Sequence, residues 1–260
     1  MPAVALVAAV VALGLAVAGS SAEPPVIPAK VIRTFPHDRN AFCQGLVFHN
    51  GQLLEGTGQL GESSLRVLDL QTGMPSWEHR LRNDEFGEGI TVLGNRLYQL
   101  TWRNGYLIEY DAATLKPIRT VSYRDIDRSL REGWGITHDG TSLIVSDGSS
   151  KLRFIDPQTF RLIRTAIVRS GRKPISKLNE LEFVEGEVLA NIWYEDSIVR
   201  LNPQSGEVTG WLDCRQIRPA EVRGFRHRED VLNGIAWDSQ NRRLLVTGKN
   251  WPSMFEVEFP

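Results

Sequence analysis

The sequence predicts an all-β fold, a five-bladed β-propeller with four-stranded antiparallel blades, and three observations carry that prediction. Five short segments recur at a period in the forties, each is followed by the same order of turns and strands, and one strand-like piece precedes the first repeat. The segments are Gln44-Gly45-Leu46-Val47-Phe48, Glu88-Gly89-Ile90-Thr91-Val92, Trp134-Gly135-Ile136-Thr137-His138, Asn179-Glu180-Leu181-Glu182-Phe183 and Asn233-Gly234-Ile235-Ala236-Trp237. Four carry Gly second, all five carry Leu or Ile third, and their starts lie 44, 46, 45 and 54 residues apart. Self-similarity at such a period marks blade-like units.

Within a unit the elements follow in order. The first strand ends in a tight turn (Asn50-Gly51, Gly94-Asn95, Asp139-Gly140, Glu185-Gly186) of the composition that hairpins with positive φ require. A short apolar second strand comes next, as in Leu143-Ile144-Val145, and then an alternating third strand, as in Leu65-Arg66-Val67-Leu68. Turns rich in Asp, Asn, Pro and Gly, such as Asp156-Pro157-Gln158-Thr159, lead into a more variable fourth strand. The fifth unit runs out of chain after its third strand, Met254 to Phe259. The strand-like Ala29 to Phe35 is therefore expected to supply its outer strand and close the ring, which removes an exposed edge. Helical periodicity is confined to short loops such as Arg124 to Arg131.

The first 22 residues differ from the rest: Ala3 to Ala18 is almost wholly Ala, Val, Leu and Gly, and no charge appears before Glu23. Residues 1–22 read as a signal peptide, with an uncleaved N-terminal anchor as the alternative, and residues 23–260 as one propeller domain. The folded part is thus expected to be periplasmic or secreted, touching a membrane only if the leader is kept. A formal net charge of -1 gives no electrostatic case for nucleic acid. The basic run from Arg164 to Lys177 reads as a solvated loop. Cys43 and Cys214 give no spacing pattern, and the five histidines show no metal-ligand spacing, so each histidine is expected in a turn or at the surface.

In a propeller the first strand of each blade lines the axis, so Gln44, Glu88, Trp134, Asn179 and Asn233 are expected to converge at one end. The second strand runs back, and residues about 14 positions later return there: Trp102, Trp193, and after a longer turn Lys249 and Trp251. Aromatic walls with a few orienting polar groups are the make-up of a small-ligand pocket. Each residue also has a plainer reading. Single tryptophans pack between blades, asparagines cap backbone groups, and a lysine snorkels to solvent. Phe42 and Phe86 read as loop anchors ahead of two strand starts. Glu88 is hardest to explain structurally, because an axial carboxylate is expensive without a task or a partner.

At Phe42-Cys43-Gln44-Gly45-Leu46, Phe86-Gly87-Glu88-Gly89, Leu100-Thr101-Trp102, Glu132-Gly133-Trp134-Gly135, Leu178-Asn179-Glu180-Leu181-Glu182, Asn191-Ile192-Trp193 and Leu232-Asn233-Gly234 through Thr247-Gly248-Lys249, the chain resembles the plant and bacterial glutaminyl-peptide cyclotransferases. That family is a five-bladed propeller unrelated to the zinc-dependent animal enzyme, and the similarity runs from about Phe35 to the C-terminus. The resemblance implies conversion of the N-terminal glutamine of peptides or proteins to pyroglutamate with loss of ammonia; a monomer requiring no cofactor is expected. By analogy Glu88 carries the proton, with Lys249 and Asn179 beside it as catalytic candidates. Gln44, Asn179 and Lys249 hold polar groups of the substrate, Asn233 joins the substrate contacts, and Trp102, Trp134, Trp193 and Phe42 form the walls.

Two other readings stay open on the residues alone. One is a metal-dependent hydrolase of the lactonase kind, with Glu88, Asn179 and Asn233 around a hard cation; a structural cation on the axis is a related option. The other is a non-catalytic propeller that binds a peptide.

Overall fold

A computed structural model describes residues 23–222 and 229–259, so the leader read over 1–22 lies outside the described residues. Two strands precede the repeats, β1 (Val26–Pro28) and β2 (Val31–Pro36). Blade one comprises β3 (Cys43–His49), β4 (Gln52–Thr57), β5 (Ser64–Leu68) and β6 (Pro75–Arg80). Blade two comprises β7 (Gly87–Leu93), β8 (Arg96–Thr101), β9 (Tyr106–Asp111) and β10 (Pro117–Ser122), followed by the one-turn helix α1 (Tyr123–Ile126). Blade three comprises β11 (Ile136–His138), β12 (Leu143–Val145), β13 (Lys151–Ile155) and β14 (Leu162–Ile167). The basic run then forms a small hairpin, β15 (Arg169–Ser170) with β16 (Lys173–Pro174). Blade four comprises β17 (Leu178–Val184), β18 (Glu187–Ile192), β19 (Ser197–Leu201) and β20 (Val208–Asp213). Blade five has β21 (Leu232–Asp238), β22 (Arg243–Gly248) and β23 (Ser253–Val257).

The expected closure is present. β2 pairs antiparallel with β23, Thr34 opposite Phe255 and Phe35 opposite Met254, so blade five is completed by the N-terminal segment. β1 does something the repeat pattern does not announce: it adds a parallel fifth strand to the outside of blade four, Val26 opposite Trp211. The core lies between blades, where apolar side chains of adjacent sheets interlock, for example Leu54, Val67, Ile90 and Leu97 between blades one and two. Cys43 and Cys214 are both buried free thiols.

The repeated glycine has a direct physical reason. A Cβ on Gly45 would sit 2.4 Å from Ile90 N, on Gly89 2.8 Å from Trp134 O, and on Gly135 1.9 Å from Asn179 O. At these three positions the inner strands of neighbouring blades approach too closely for any side chain. Blade four carries Glu180 there instead, and its carboxylate takes the axial space, accepting N–H from Leu46 (3.4 Å, blade one) and Ile235 (2.9 Å, blade five). Glu182, two residues on, accepts from Trp237 N at 2.8 Å. The axis-facing edges of these strands have no further strand of their own sheet beside them, and the two carboxyl groups satisfy their donors.

His37 corrects the expectation that every histidine is a turn or surface residue. It follows the closing strand directly and is buried in the seam between blades five and one. Its Nε2 faces Glu55 Oε1 and its Nδ1 faces the Trp251 carbonyl, each at 2.9 Å. Both partners offer acceptor oxygens, an arrangement that favours the doubly protonated ring. Burial opposes that charge, but Glu55 and the Trp251 carbonyl prevail and its pKa lies above the usual histidine range.

Two predictions follow from this packing. His37 keeps its proton to higher pH in the folded state, so its contribution is complete below about pH 6.5 and is lost as pH rises through its folded value. Burial likewise lifts Glu182 to about 8, so the folded chain binds the extra proton between about pH 4.3 and that value. Both effects have the same sign: thermal stability followed by circular dichroism should fall from pH 6 to pH 9, and Glu182→Gln should flatten the slope. A midpoint that rises over this range contradicts the assignment. Second, Gly135→Ala should cost about 3 kcal/mol by overpacking. Gly94→Ala, at φ 61° with open space around it, should cost only about 1–2 kcal/mol.

Candidate active site

The starts of the inner strands meet as the repeat predicts. They border a cavity of about 350 Å³ whose lining includes Gln44, Glu88, Trp134 and Asn179 from four blades, with Trp102, Trp193 and Lys249 from the returning strands. Phe42 also lines it, from the turn just before β3. Blades one and three have glycine where the returning strands of blades two and four bring tryptophan. A Cβ on Gly58 would meet the Phe86 ring at 2.5 Å, and one on Gly148 would meet Trp134 at 2.7 Å. These glycines make room for the rings opposite them.

Glu88 is almost fully buried and accepts one hydrogen bond, from Gln44 Nε2 at 3.0 Å. Gln44 is itself oriented by Asn233, whose Nδ2 donates to Gln44 Oε1 at 3.2 Å and to the Cys43 carbonyl at 3.0 Å. Asn233 thus stands one layer behind the cavity wall, fully buried, and reaches the site through Gln44. Among the described residues no protein donor engages Glu88 Oε2. Burial drives the Glu88 pKa well above the usual carboxylate range; Lys249 opposes the rise and Glu132 adds to it. Its acid therefore keeps a proton where an exposed glutamate would have lost one.

Lys249 does not snorkel. It is 4% exposed, its backbone N–H is held by the Val231 carbonyl at 2.9 Å, and its Nζ lies 4.7 Å from the centre of the Phe42 ring. Burial lowers its pKa, against the pull of Glu88 and Glu229. Across the cavity, the buried Oδ1 of Asn179 has no hydrogen-bond partner among the described residues. A buried carboxamide in that condition is ready for a ligand.

The rings form a belt around these polar groups. Phe42 meets Phe86 edge-on (6.2 Å between centroids), Phe86 leans on Trp102 (5.5 Å), and Trp134 meets Trp193 at right angles (5.4 Å). Trp193 stacks on Tyr194 at 4.3 Å, and the Tyr194 hydroxyl donates to Glu229 at the rim. Phe86 is thus a wall residue, not merely a loop anchor. Its place before the Glu88 strand matches that of Phe42 before the Gln44 strand, and that symmetry was the available signal. Gln59 and Glu229 line the cavity from loops that carry no repeat pattern, so periodicity could not find them. Trp251 lies outside the cavity: it is fully buried in the core of blade five, its indole N–H donating to the Asp230 carbonyl at 3.0 Å.

Among the described residues no group of three or more His, Cys, Asp or Glu is arranged to hold a metal ion. What the cavity provides is an apolar slot, a buried acid, a nearby ammonium and carboxamides. It suits a small uncharged or amine-bearing group enclosed on several sides, with proton transfer at its base.

The chain is similar to known proteins over most of its length. The family model described as "Glutamine cyclotransferase" matches residues 4–259. A glutaminyl-peptide cyclotransferase of Arabidopsis thaliana is 40% identical over 230 residues, covering 88% of this chain and 70% of the relative. The crystal structure of Myxococcus xanthus glutaminyl cyclase superposes with a TM-score of 0.83 at 38% identity, over 91% of this chain and 98% of the other. A match over nearly the whole length, on a five-bladed ring with this cavity at its axis, means that the chain belongs to the glutamine cyclotransferase family.

Proposed function

We propose that the protein cyclises the N-terminal glutamine of peptides and proteins to pyroglutamate with release of ammonia, and that Glu88 moves the proton. The observation that carries this reading is a buried carboxyl of raised pKa at the base of an aromatic slot, beside a buried lysine and an unpaired carboxamide. The names of the relatives support it.

The nucleophile belongs to the substrate. A peptide α-amine has a pKa of about 7.7–8.0, so a neutral fraction exists near neutral pH. Its nitrogen attacks the γ-carboxamide carbon and closes a five-membered lactam. The new C–N bond forms, the old C–N bond breaks, and one proton passes from the attacking amine to the departing nitrogen, which leaves as ammonia. Glu88 serves as acceptor and donor in turn, and its raised pKa suits both roles near neutrality. Gln44 fixes the carboxyl, and Asn233 fixes Gln44. Lys249 and Asn179 face the carboxamide: the cation stabilises the oxyanion, and Asn179 Oδ1 gains the partner that it lacks among the described residues. The rings hold the flexible glutamine side chain in its cyclising conformer and exclude water that would compete as a nucleophile. This chemistry draws on no metal, and a leader over 1–22 would direct it to the periplasm or the outside of the cell.

Mass spectrometry of a Gln-initiated peptide incubated with the protein tests the reading. Ammonia loss should occur and should survive EDTA; a peptide bound but unchanged would establish a binding module instead. Glu88→Gln should lower kcat by about 10³-fold with the fold retained by circular dichroism, and near-normal turnover would remove Glu88 from the mechanism. Lys249→Met should lower kcat by about 10²–10³-fold, an effect larger than its change in KM.

A further inference from the structure

Two tryptophans of the cavity wall share one acceptor. Trp102, at the end of blade two's second strand, donates from Nε1 to Glu132 Oε2 at 2.8 Å. Trp134, at the entry to blade three, donates from Nε1 to the same oxygen at 3.0 Å. Glu132 does not line the cavity, so both indole N–H groups are engaged outside it and the substrate meets the carbon surface of the rings. The other oxygen, Oε1, accepts from Arg103 Nε at 3.0 Å, and the Arg103 guanidinium lies 4.0 Å over the Trp102 ring.

The loop that carries Glu132 is firmly seated. Gly133 N–H reaches the Thr101 and Trp102 carbonyls at 3.3 and 3.4 Å, and a Cβ on Gly133 would collide with the Tyr123 hydroxyl at 2.3 Å. That hydroxyl donates to the Thr101 carbonyl and accepts from its N–H. The carboxylate is therefore held at a fixed height against the strand that ends at Trp102. Its ion pair with Arg103 does not explain it as a stability device, because the Arg103 side chain is 67% exposed and such pairs contribute little.

We propose that Glu132 is a positioning residue of the cyclisation site: its carboxylate clamps the indoles of two blades at a set separation and withholds their N–H groups from the substrate. The inference rests on the cyclase reading for its catalytic meaning, but the clamp itself can be observed without turnover. Glu132 also acts on Glu88 through its charge, raising the proton affinity of the catalytic acid.

Two variants separate these effects. Glu132→Gln keeps an oxygen able to accept both indoles and loses the charge; Glu132→Ala loses both. In the Ala variant KM for a Gln-initiated peptide should rise about tenfold and kcat should fall about tenfold, while the thermal midpoint barely moves. The Gln variant should recover kcat/KM to within about threefold of the parent, with the pH limb set by Glu88 displaced to lower pH. Independently of activity, the indole N–H resonances of Trp102 and Trp134 in a 15N-labelled sample should move together in the Ala variant and stay near their places in the Gln variant. Unmoved indole signals in Glu132→Ala, unchanged kcat/KM, a Gln variant as impaired as Ala, or an Ala variant that unfolds would each overturn the positioning role. A parent protein that forms the indole clamp but releases no ammonia would instead sink the cyclase reading alone.

Discussion

Backbone crowding at the propeller axis is the constraint on which the rest depends. Where Gly45, Gly89 and Gly135 stand, the inner strands of neighbouring blades come closer than any Cβ permits. Glu180 occupies the one equivalent position with a side chain, joining blade four to blades one and five through the N–H groups of Leu46 and Ile235. Side chains that begin these strands inherit the rigidity of that ring. Gln44, Glu88 and Asn179 are placed by strand backbones, and Trp134, just ahead of its strand, is held by backbone bonds to Ser146 and Gly89, so their spacing changes only if the blades move apart.

That rigidity permits an electrostatic arrangement that would otherwise be costly. Glu88 and Lys249 are both nearly removed from water, and burial pushes each toward its neutral form while each holds the other partly charged. A buried acid and base balanced in this way move protons with little reorganisation of their surroundings. Glu88 is not locked into a saturated hydrogen-bond network. Among the described residues Glu88 takes one bond, from Gln44, and the nearby Asn179 Oδ1 takes none, which leaves bonding capacity for a substrate. One layer back, Asn233 Nδ2 bonds to both the Cys43 carbonyl and Gln44 Oε1, which fixes the Gln44 side chain.

The aromatic belt depends on the same economy of space. Gly58 and Gly148 are empty positions that let Phe86 and Trp134 lie across the mouth. The indoles of Trp102 and Trp134 then meet a single carboxylate behind them. A wall built by blades two and three is thereby joined outside the cavity, so the joint does not compete with substrate for hydrogen bonds.

The sequence alone established the blade count, the closing strand, and the convergence of an acid, a lysine, carboxamides and tryptophans at one end of the axis. Those features repeat with the period of the blade, and a period survives being read in one dimension. Tertiary structure decided what has no period. It sent Trp251 into the core and Phe86 into the wall, although each was open to the other reading. It buried His37 between Glu55 and a carbonyl, because the chain that closes the ring must pass through the seam between the first and last blades. It also made Glu180 an axial bridge and Glu132 a clamp, since a carboxylate's partners here lie in other blades, 55 residues away for Ile235 and 30 for Trp102. Local patterning records which face of a strand a side chain occupies; only the closed ring determines which distant donors that face will meet.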